Sequence, residues 1–394
     1  MAISPAIALG EGNRNLFLIG VMSISPIIIL RFFEFDKEDV WLLAFLATIV
    51  IFPNLFHPET MRWSTVLYSM MFGFSFIAYK QLLRQKHFSL KNYIYLLRIL
   101  IYAYFITLLI QQFCVLTGLP VFNVSNYDPT YPWKLNALAA EPSHSGRIVA
   151  LLMYSYITLK EYILSQKYNL KKEIKKDKFL WLAFLCTMIT MGSGTAFLFL
   201  GIIFFKFVRF KNLLPVFIIG IAIAILVSTI ENPVLERTIK TLIATLTLDE
   251  ATIMDADHSA SIRIVPMIIL IKMLDLSSIN GWFGHGIDYV GTFLSDFIWG
   301  IPEGLTGGGL LALFMEYGFI SFSFFVLFSF KTVFRRNDYF NIVFWFLLVV
   351  MYGVNNQILW LCLILLFTNN YFFKQTKSYR KIPHEQHNAR NLRL

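Results

Sequence analysis

About eleven long apolar runs, parted by polar turns, constrain this chain more than any other feature. The runs fall at 15–33, 39–56, 63–80, 93–117, 147–164, 179–192, 195–210, 213–230, 307–330, 340–354 and 357–373. A helix needs ~20 mostly apolar residues to cross a bilayer, and inside lipid every backbone N–H and C=O must be paired within the protein. Composition agrees: 57% of the 394 residues are hydrophobic and 15% are charged, against roughly 25% charged in soluble domains. A single aqueous core stops growing near ~250–300 residues, so the surplus of apolar side chains, 40 phenylalanines among them, is expected to face lipid.

The expected fold is therefore all-α, a polytopic membrane protein forming one integral membrane domain over 1–394. The turns Gly192-Ser193-Gly194 and Asn355-Asn356 are very short. Each tolerates the positive φ of a tight reversal or marks the break of one long helix, which leaves ten to twelve spans. The residues before 16 show no cleavable leader pattern, so the first run is expected to stay as a span. Cys114, Cys186 and Cys362 all lie in apolar runs without ligand spacing and read as small hydrophobes.

Lys and Arg set the orientation. Of 34, 24 collect at 80–91, 167–178, 206–211, 331–336, from 374 onward, and at Arg31 and Lys37. These segments alternate correctly if all are cytoplasmic, so the net charge of +10 records topology and not a nucleic-acid partner. The C-terminus is then cytoplasmic, with a basic tail at 375–394. The long loops 118–146 and 231–306 are extracytoplasmic, and the second carries ten Asp or Glu against four Lys or Arg. One stretch, 264–276, is apolar but short and contains Pro266, Lys272 and Asp275. Were it a span, 331–336 would fall outside, so it is expected to be an amphipathic or re-entrant helix within the loop.

Loops of 29 and 76 residues exceed the usual ~12–15 and concentrate the ionisable and aromatic side chains. The first ends Glu141-Pro142-Ser143-His144-Ser145-Gly146-Arg147. A helical turn would bring Glu141, His144 and Arg147 to one side; the alternative is a cap, with Ser143 or Ser145 as N-cap and Arg147 as an interfacial anchor. The second contains His258, Arg263 and Gly281-Trp282-Phe283-Gly284-His285-Gly286. Arg263 either snorkels or offers its planar fork of donors to a phosphate; His285 is a close-approach histidine or a plain turn residue. Arg98 and Lys160 are expected to snorkel, and Glu316 is an intramembrane acid whose bland role is a hydrogen bond to a neighbouring helix. No HExxH or Cys cluster suggests a metal.

These residues carry a resemblance. A Glu-Pro-Ser opening a span after an outer loop, Thr190-Met191-Gly192-Ser193-Gly194-Thr195 between two spans, and the long loop with Arg263 and Gly284-His285-Gly286 resemble bacterial O-antigen and exopolysaccharide polymerases. Gly307-Gly308-Gly309 followed by Glu316-Tyr317-Gly318-Phe319-Ile320 is similar to their next span. The likeness covers about 140–330. Departures are that Leu305-Thr306-Gly307 stands where related enzymes often carry His-Asn, and that neither Arg147, Arg237 nor Arg263 is followed at the family's spacing by Gly.

The resemblance implies a metal- and cofactor-independent, inverting glycosyltransferase at the periplasmic face of the bacterial inner membrane. Donor and acceptor are undecaprenyl-pyrophosphate-linked oligosaccharides, and a chain-length regulator is a further expected partner beside the lipid bilayer. Arg147 and Arg263 are the candidates for holding pyrophosphate, and His285 or Glu141 for the base. His144 and His258 are additional polar candidates; Trp133, Trp282 and Tyr289, with Tyr127 and Tyr131, would face sugar rings, although outer aromatics are also ordinary belt residues. Two alternatives share the layout: an O-antigen ligase acting on lipid A core, and a lipid-linked oligosaccharide transporter, which would more often show repeated halves.

Overall fold

The computed structural model describes residues 1–4, 14–85, 88–124, 130–208, 240–241, 243–256, 258–295, 309–335 and 338–380. All the regular elements among them longer than a single bridge residue are helices. Five are long and apolar enough to cross a membrane: Lys37–Phe56 (α3), Trp63–Arg84 (α4), Leu90–Thr117 (α5), Gly309–Val333 (α14) and, within α16 (Gln357–Arg380), Gln357–Thr376. The expected run 213–230 and the tail beyond 380 lie outside the described residues, as do 231–239 and 296–308 of the large loop and Tyr127.

The chain forms two compact units. The first comprises Met1–Leu18, Leu82–Arg209 and Ile364–Leu394. Its axis is α6 (Pro142–Leu164), buried continuously from 145 to 159, with α5, α8 (Lys178–Thr190) and α9 (Gly194–Phe205) around it. A helix covered by protein can carry polar groups that lipid would not tolerate: Ser155 Oγ donates to Asn369 Oδ1 at 2.7 Å and Tyr156 to Asp177 Oδ2 at 2.5 Å. That is how α6, at 23 residues, accommodates these polar side chains in its buried length. Lys160 reaches Asp177 at 3.5 Å, a pairing in place of the expected simple snorkel. The short α7 (Leu170–Lys176) caps this end, with Asn169 accepting from Lys172 N.

The second unit comprises Ile19–Gln81 and Phe210–Leu363. The first apolar run, read as one span, is two short helices, α1 (Leu16–Met22) and α2 (Ser25–Phe32). Pro26 lacks the N–H that would continue the ladder to Met22 and its ring excludes that carbonyl, so the run breaks at Ser23-Ile24. α3 packs along α14 through Trp41–Phe324 and Phe45–Phe325, with ring centroids 5.9 and 4.9 Å apart. Phe72 and Phe76 of α4, Phe325 and Phe328 of α14 and Trp360 of α16 continue the core. Many phenylalanines expected at lipid are thus interior. α15 (Tyr339–Trp345) runs into a π-helical turn at Phe346–Val350.

The long segment 231–306 is folded where it is described. α10 (Glu250–Ala256) packs on α11 (His258–Lys272), and α11, α12 (Ile279–Phe283) and α13 (Tyr289–Ser295) lie against the first half of α14. Val265, Ile269 and Leu270 of α11 and Val290 and Leu294 of α13 share a buried cluster with Ala312, Phe314 and Met315. The stretch 264–276 thus supplies part of a helix, α11, which continues through Pro266. Its end is fixed by Lys272 Nζ on Glu250 Oε1 at 2.8 Å.

Between α3 and α4 sits a buried ion pair. Lys80, 2% exposed, donates to Asp39 at 2.6 Å and reaches Asp36 at 3.1 Å; Asp39 is 1% exposed. Removing one partner of such a pair leaves an uncompensated buried charge, costing about 3–5 kcal/mol, whereas replacing both with apolar residues is close to neutral. Lys80→Met is therefore expected to lower stability by about 3 kcal/mol or more in denaturant titration of detergent-purified protein. Adding Asp39→Leu should recover part of the loss; a double variant worse than the single would show that the pair itself stabilises.

Candidate active site

In the first unit, the sequence-predicted residues gather at the entrance of α6. The preceding loop is held by an amide lattice around Asn136, whose Nδ2 donates to the carbonyls of Asn123 (2.7 Å) and Ala139 (2.6 Å). Gln111 of α5 closes it, donating to Asn136 Oδ1 at 3.2 Å and accepting from Ala137 N at 2.8 Å. Asn123 Nδ2 donates to the Ala137 carbonyl, and Ser145 Oγ to that of Asn136. Buried amides with all these partners fix a loop as firmly as regular structure.

From this stem the chain enters α6 at Glu141, which is extended (φ −136°, ψ 151°), with Pro142 in the first turn. Glu141 thus occupies the N-cap position, without a side-chain cap bond. The expected cap by Ser143 or Ser145 is corrected: Ser143 donates to Glu141 Oε2 at 3.1 Å and Ser145 is committed to Asn136. His144 Nε2 stands 3.9 Å from Glu141 Oε2, so the turn does bring these two together. Arg147, one turn further, is only 6% exposed and is no surface anchor. Gly146 makes room for α9, since a Cβ there would meet the backbone of Ala196. Gly192, at φ +65°, passes the backbone of Trp133, whose ring is 47% exposed.

In the second unit the centre is a broken helix. Gly318, inside α14, has φ 81° and ψ 169°, a region essentially restricted to glycine. Gly284 shares it, with φ 94° and ψ 167°. The two breaks fit together. A Cβ on Gly284 would strike the Glu316 carbonyl, and one on Gly318 the Trp282 carbonyl. Across this contact His285 N donates to Met315 O at 2.8 Å and Gly286 N to Glu316 O at 3.2 Å. The imidazole Nδ1 of His285 lies 3.2 Å from the same Met315 oxygen.

The segment is positioned from both sides. Ser278 caps α12 by accepting from Gly281 N at 3.1 Å. Trp282 is structural as well as exposed, its indole N–H on Leu276 O at 3.0 Å and its ring edge-on to Phe319. Phe283 packs on Phe52 and Phe56 at the end of α3. Tyr289 stacks on His285, centroids 4.5 Å apart and planes 21° off parallel.

The turn between α3 and α4, passed over as a simple connection in the sequence, supplies the rest. His57 Nε2 donates to Gly284 O at 3.0 Å, and its Nδ1 faces Glu59 Oε1 at 3.5 Å. Arg62 pairs with Asp288 at 2.5 Å. Nothing in the local spacing marks His57 or Arg62; the only available signal was three ionisable residues, His57, Glu59 and Arg62, in a short turn between two apolar runs. Glu316 is buried, its carboxylate near the Val290 N–H and Asp288, and its Oε1 has no hydrogen-bond partner among the described residues. His258 opens α11 and Arg263 lies in its second turn, with side chains outside the described residues. Among the described residues no three His, Cys, Asp or Glu side chains gather as a metal site requires.

Burial holds the His285 pKa below the ordinary histidine value, and the charge of His57 adds to this, against the Met315 carbonyl and Asp275. His285 is therefore neutral at pH 7 and able to take a proton. A histidine depressed in the folded state binds protons more readily when unfolded, so its contribution to stability is present above the unfolded value and lost as pH falls through the folded one. Thermal unfolding midpoints should decline on acidification below about pH 6.5 in the wild type, and less steeply in His285→Gln. Equal slopes would mean that His285 is not the group responsible.

Compared with known proteins, the chain matches no family model, no curated protein and no solved structure.

Proposed function

We propose that this chain is an inner-membrane glycosyltransferase that polymerises undecaprenyl-pyrophosphate-linked repeat units into O-antigen or a related surface polysaccharide at the periplasmic face. The observation that carries the reading is the neutral histidine docked on a broken apolar helix, with His57, Arg62 and Asp288 around it. The charge pattern supports its placement. α4 runs into the basic segment 80–91 and α14 into 331–336, so their opposite ends, at Trp63 and Gly309, share the non-cytoplasmic face. His57 and His285 belong to that end.

The chemistry asks little of the protein beyond placement. His285 takes the proton of an acceptor sugar hydroxyl as its oxygen attacks the donor anomeric carbon. The bond from that carbon to pyrophosphate breaks, its electrons leave with undecaprenyl pyrophosphate, and the anomeric centre inverts. General-base assistance is worth ~10²–10⁴-fold. The leaving anion needs positive charge; Arg147 and Arg263 are each candidates, since a guanidinium offers a planar fork of donors to phosphate. Glu141, beside His144, is the second candidate base, and exposed Trp133 offers a flat ring to sugars.

Deletion of the gene followed by glycan gel analysis tests the class: lipopolysaccharide with single repeats supports a polymerase, while lipid-linked polymer left unattached would assign a ligase. Within the class, Arg147→Ala and Arg263→Ala are expected to reduce chain extension about 100-fold or more, with the protein still inserted at normal levels. Full-length polysaccharide from both variants would remove the phosphate role.

A further inference from the structure

The loop 284–286 makes one more bond to α14 than its backbone requires. In an unbroken helix the Met315 carbonyl accepts from the N–H four residues on. Gly318, with φ 81° and ψ 169°, turns the following chain aside and frees the carbonyls of Met315 and Glu316. The backbone of the loop satisfies both, through His285 N and Gly286 N. A carbonyl oxygen has two lone pairs, and the second on Met315 faces His285 Nδ1 at 3.2 Å.

A carbonyl only accepts, so Nδ1 must carry the proton. In the neutral imidazole the other nitrogen, Nε2, then holds the lone pair. The ring cannot turn over, because Tyr289 stacks on its face at 4.5 Å and the backbone N–H of the same residue is pinned to the same oxygen. From this geometry we infer that Gly318 is a positioning residue: by breaking α14 it presents the Met315 carbonyl to His285 Nδ1, and so fixes Nε2 as the nitrogen that receives the proton. The inference rests on the reading of His285 as the base of glycosyl transfer. It assigns Gly318 a role that a side chain at that position could not fill, since the break lies in the glycine-only region and a Cβ would strike Trp282. His57 Nε2–H is spent on Gly284 O, so this second histidine braces the segment from the other side.

The test reads the tautomer without any glycan. Nitrogen-15 spectra of histidine-labelled protein in liposomes, with His285 identified by subtracting the His285→Gln spectrum, should show a protonated Nδ1 and a bare Nε2 at neutral pH. A protonated Nε2 in the wild type overturns the proposal whatever any variant does. In Gly318→Ala, if it folds, His285 should shift toward the Nε2–H form of free imidazole. Chain extension should fall at least tenfold, with the acid limb of its pH profile displaced, because His57 and Asp275 would act on a differently placed ring. An unchanged tautomer in a folded Gly318→Ala protein also overturns it. If His285→Gln extends chains normally, the polymerase-base reading falls, while the spectrum still decides whether Gly318 sets the tautomer.

Discussion

A backbone carbonyl inside a membrane helix has nowhere to find water, and that constraint explains the second unit more economically than any list of its contacts. Breaking α14 at Gly318 frees two carbonyls among buried residues, where an unpaired polar group is costly. The loop 284–286 is the partner that makes the break affordable, and the complementary conformations of Gly284 and Gly318 let two backbones approach with no side chain between them. Everything else in the region follows from holding that loop in place: Trp282 on Leu276 and Phe319, Phe283 on the end of α3, and His57 on the Gly284 carbonyl.

The same logic governs where charge is tolerated. Lys80 and Asp39 are buried together between α3 and α4, each compensated by the other. The turn between α3 and α4, by contrast, leaves Arg62 and Glu59 partly in solvent and commits only one edge of His57 to the interior. Ionisable groups whose desolvation is incomplete stay available to a polar ligand, and Arg62 and Glu59 sit at helix ends and not within the apolar runs. Glu316 is the exception, and its position beside the broken backbone is where polar neighbours for a buried acid are available.

Much of this was legible in the sequence, and the reasons for the misses are specific. Apolar runs located α3, α4, α5, α14 and α16 within a few residues, because lipid-facing and protein-facing sides of such helices are both apolar. The interruption at Gly192 was visible, as a tight reversal or a break in one helix, because positive φ leaves a compositional trace. Pro26 announced the break of the first run, and length alone overrode it. The broken α14 was not readable: a lone glycine in an apolar helix is usually tolerated at about 1 kcal/mol, and only its partner, far away in sequence, shows that Gly318 leaves the helical region. His57 was invisible for the same reason. Its significance comes from Gly284, and no local pattern encodes a contact across that separation.

A long connection between apolar helices need not be ordered, yet α11 and α13 bury Val265, Leu270, Val290 and Leu294 against α14. That burial is what tolerates Pro266 within α11, since packing of an apolar face outweighs a lost backbone bond. It also anchors both sides of the stretch from Asp275 to Asp288, so the short turn carrying His285 moves only as far as two packed helices allow. A side chain is held in a defined place by mounting a glycine-flanked turn on rigid neighbours. The glycines give the approach and the flanking helices remove the freedom that glycine would otherwise bring.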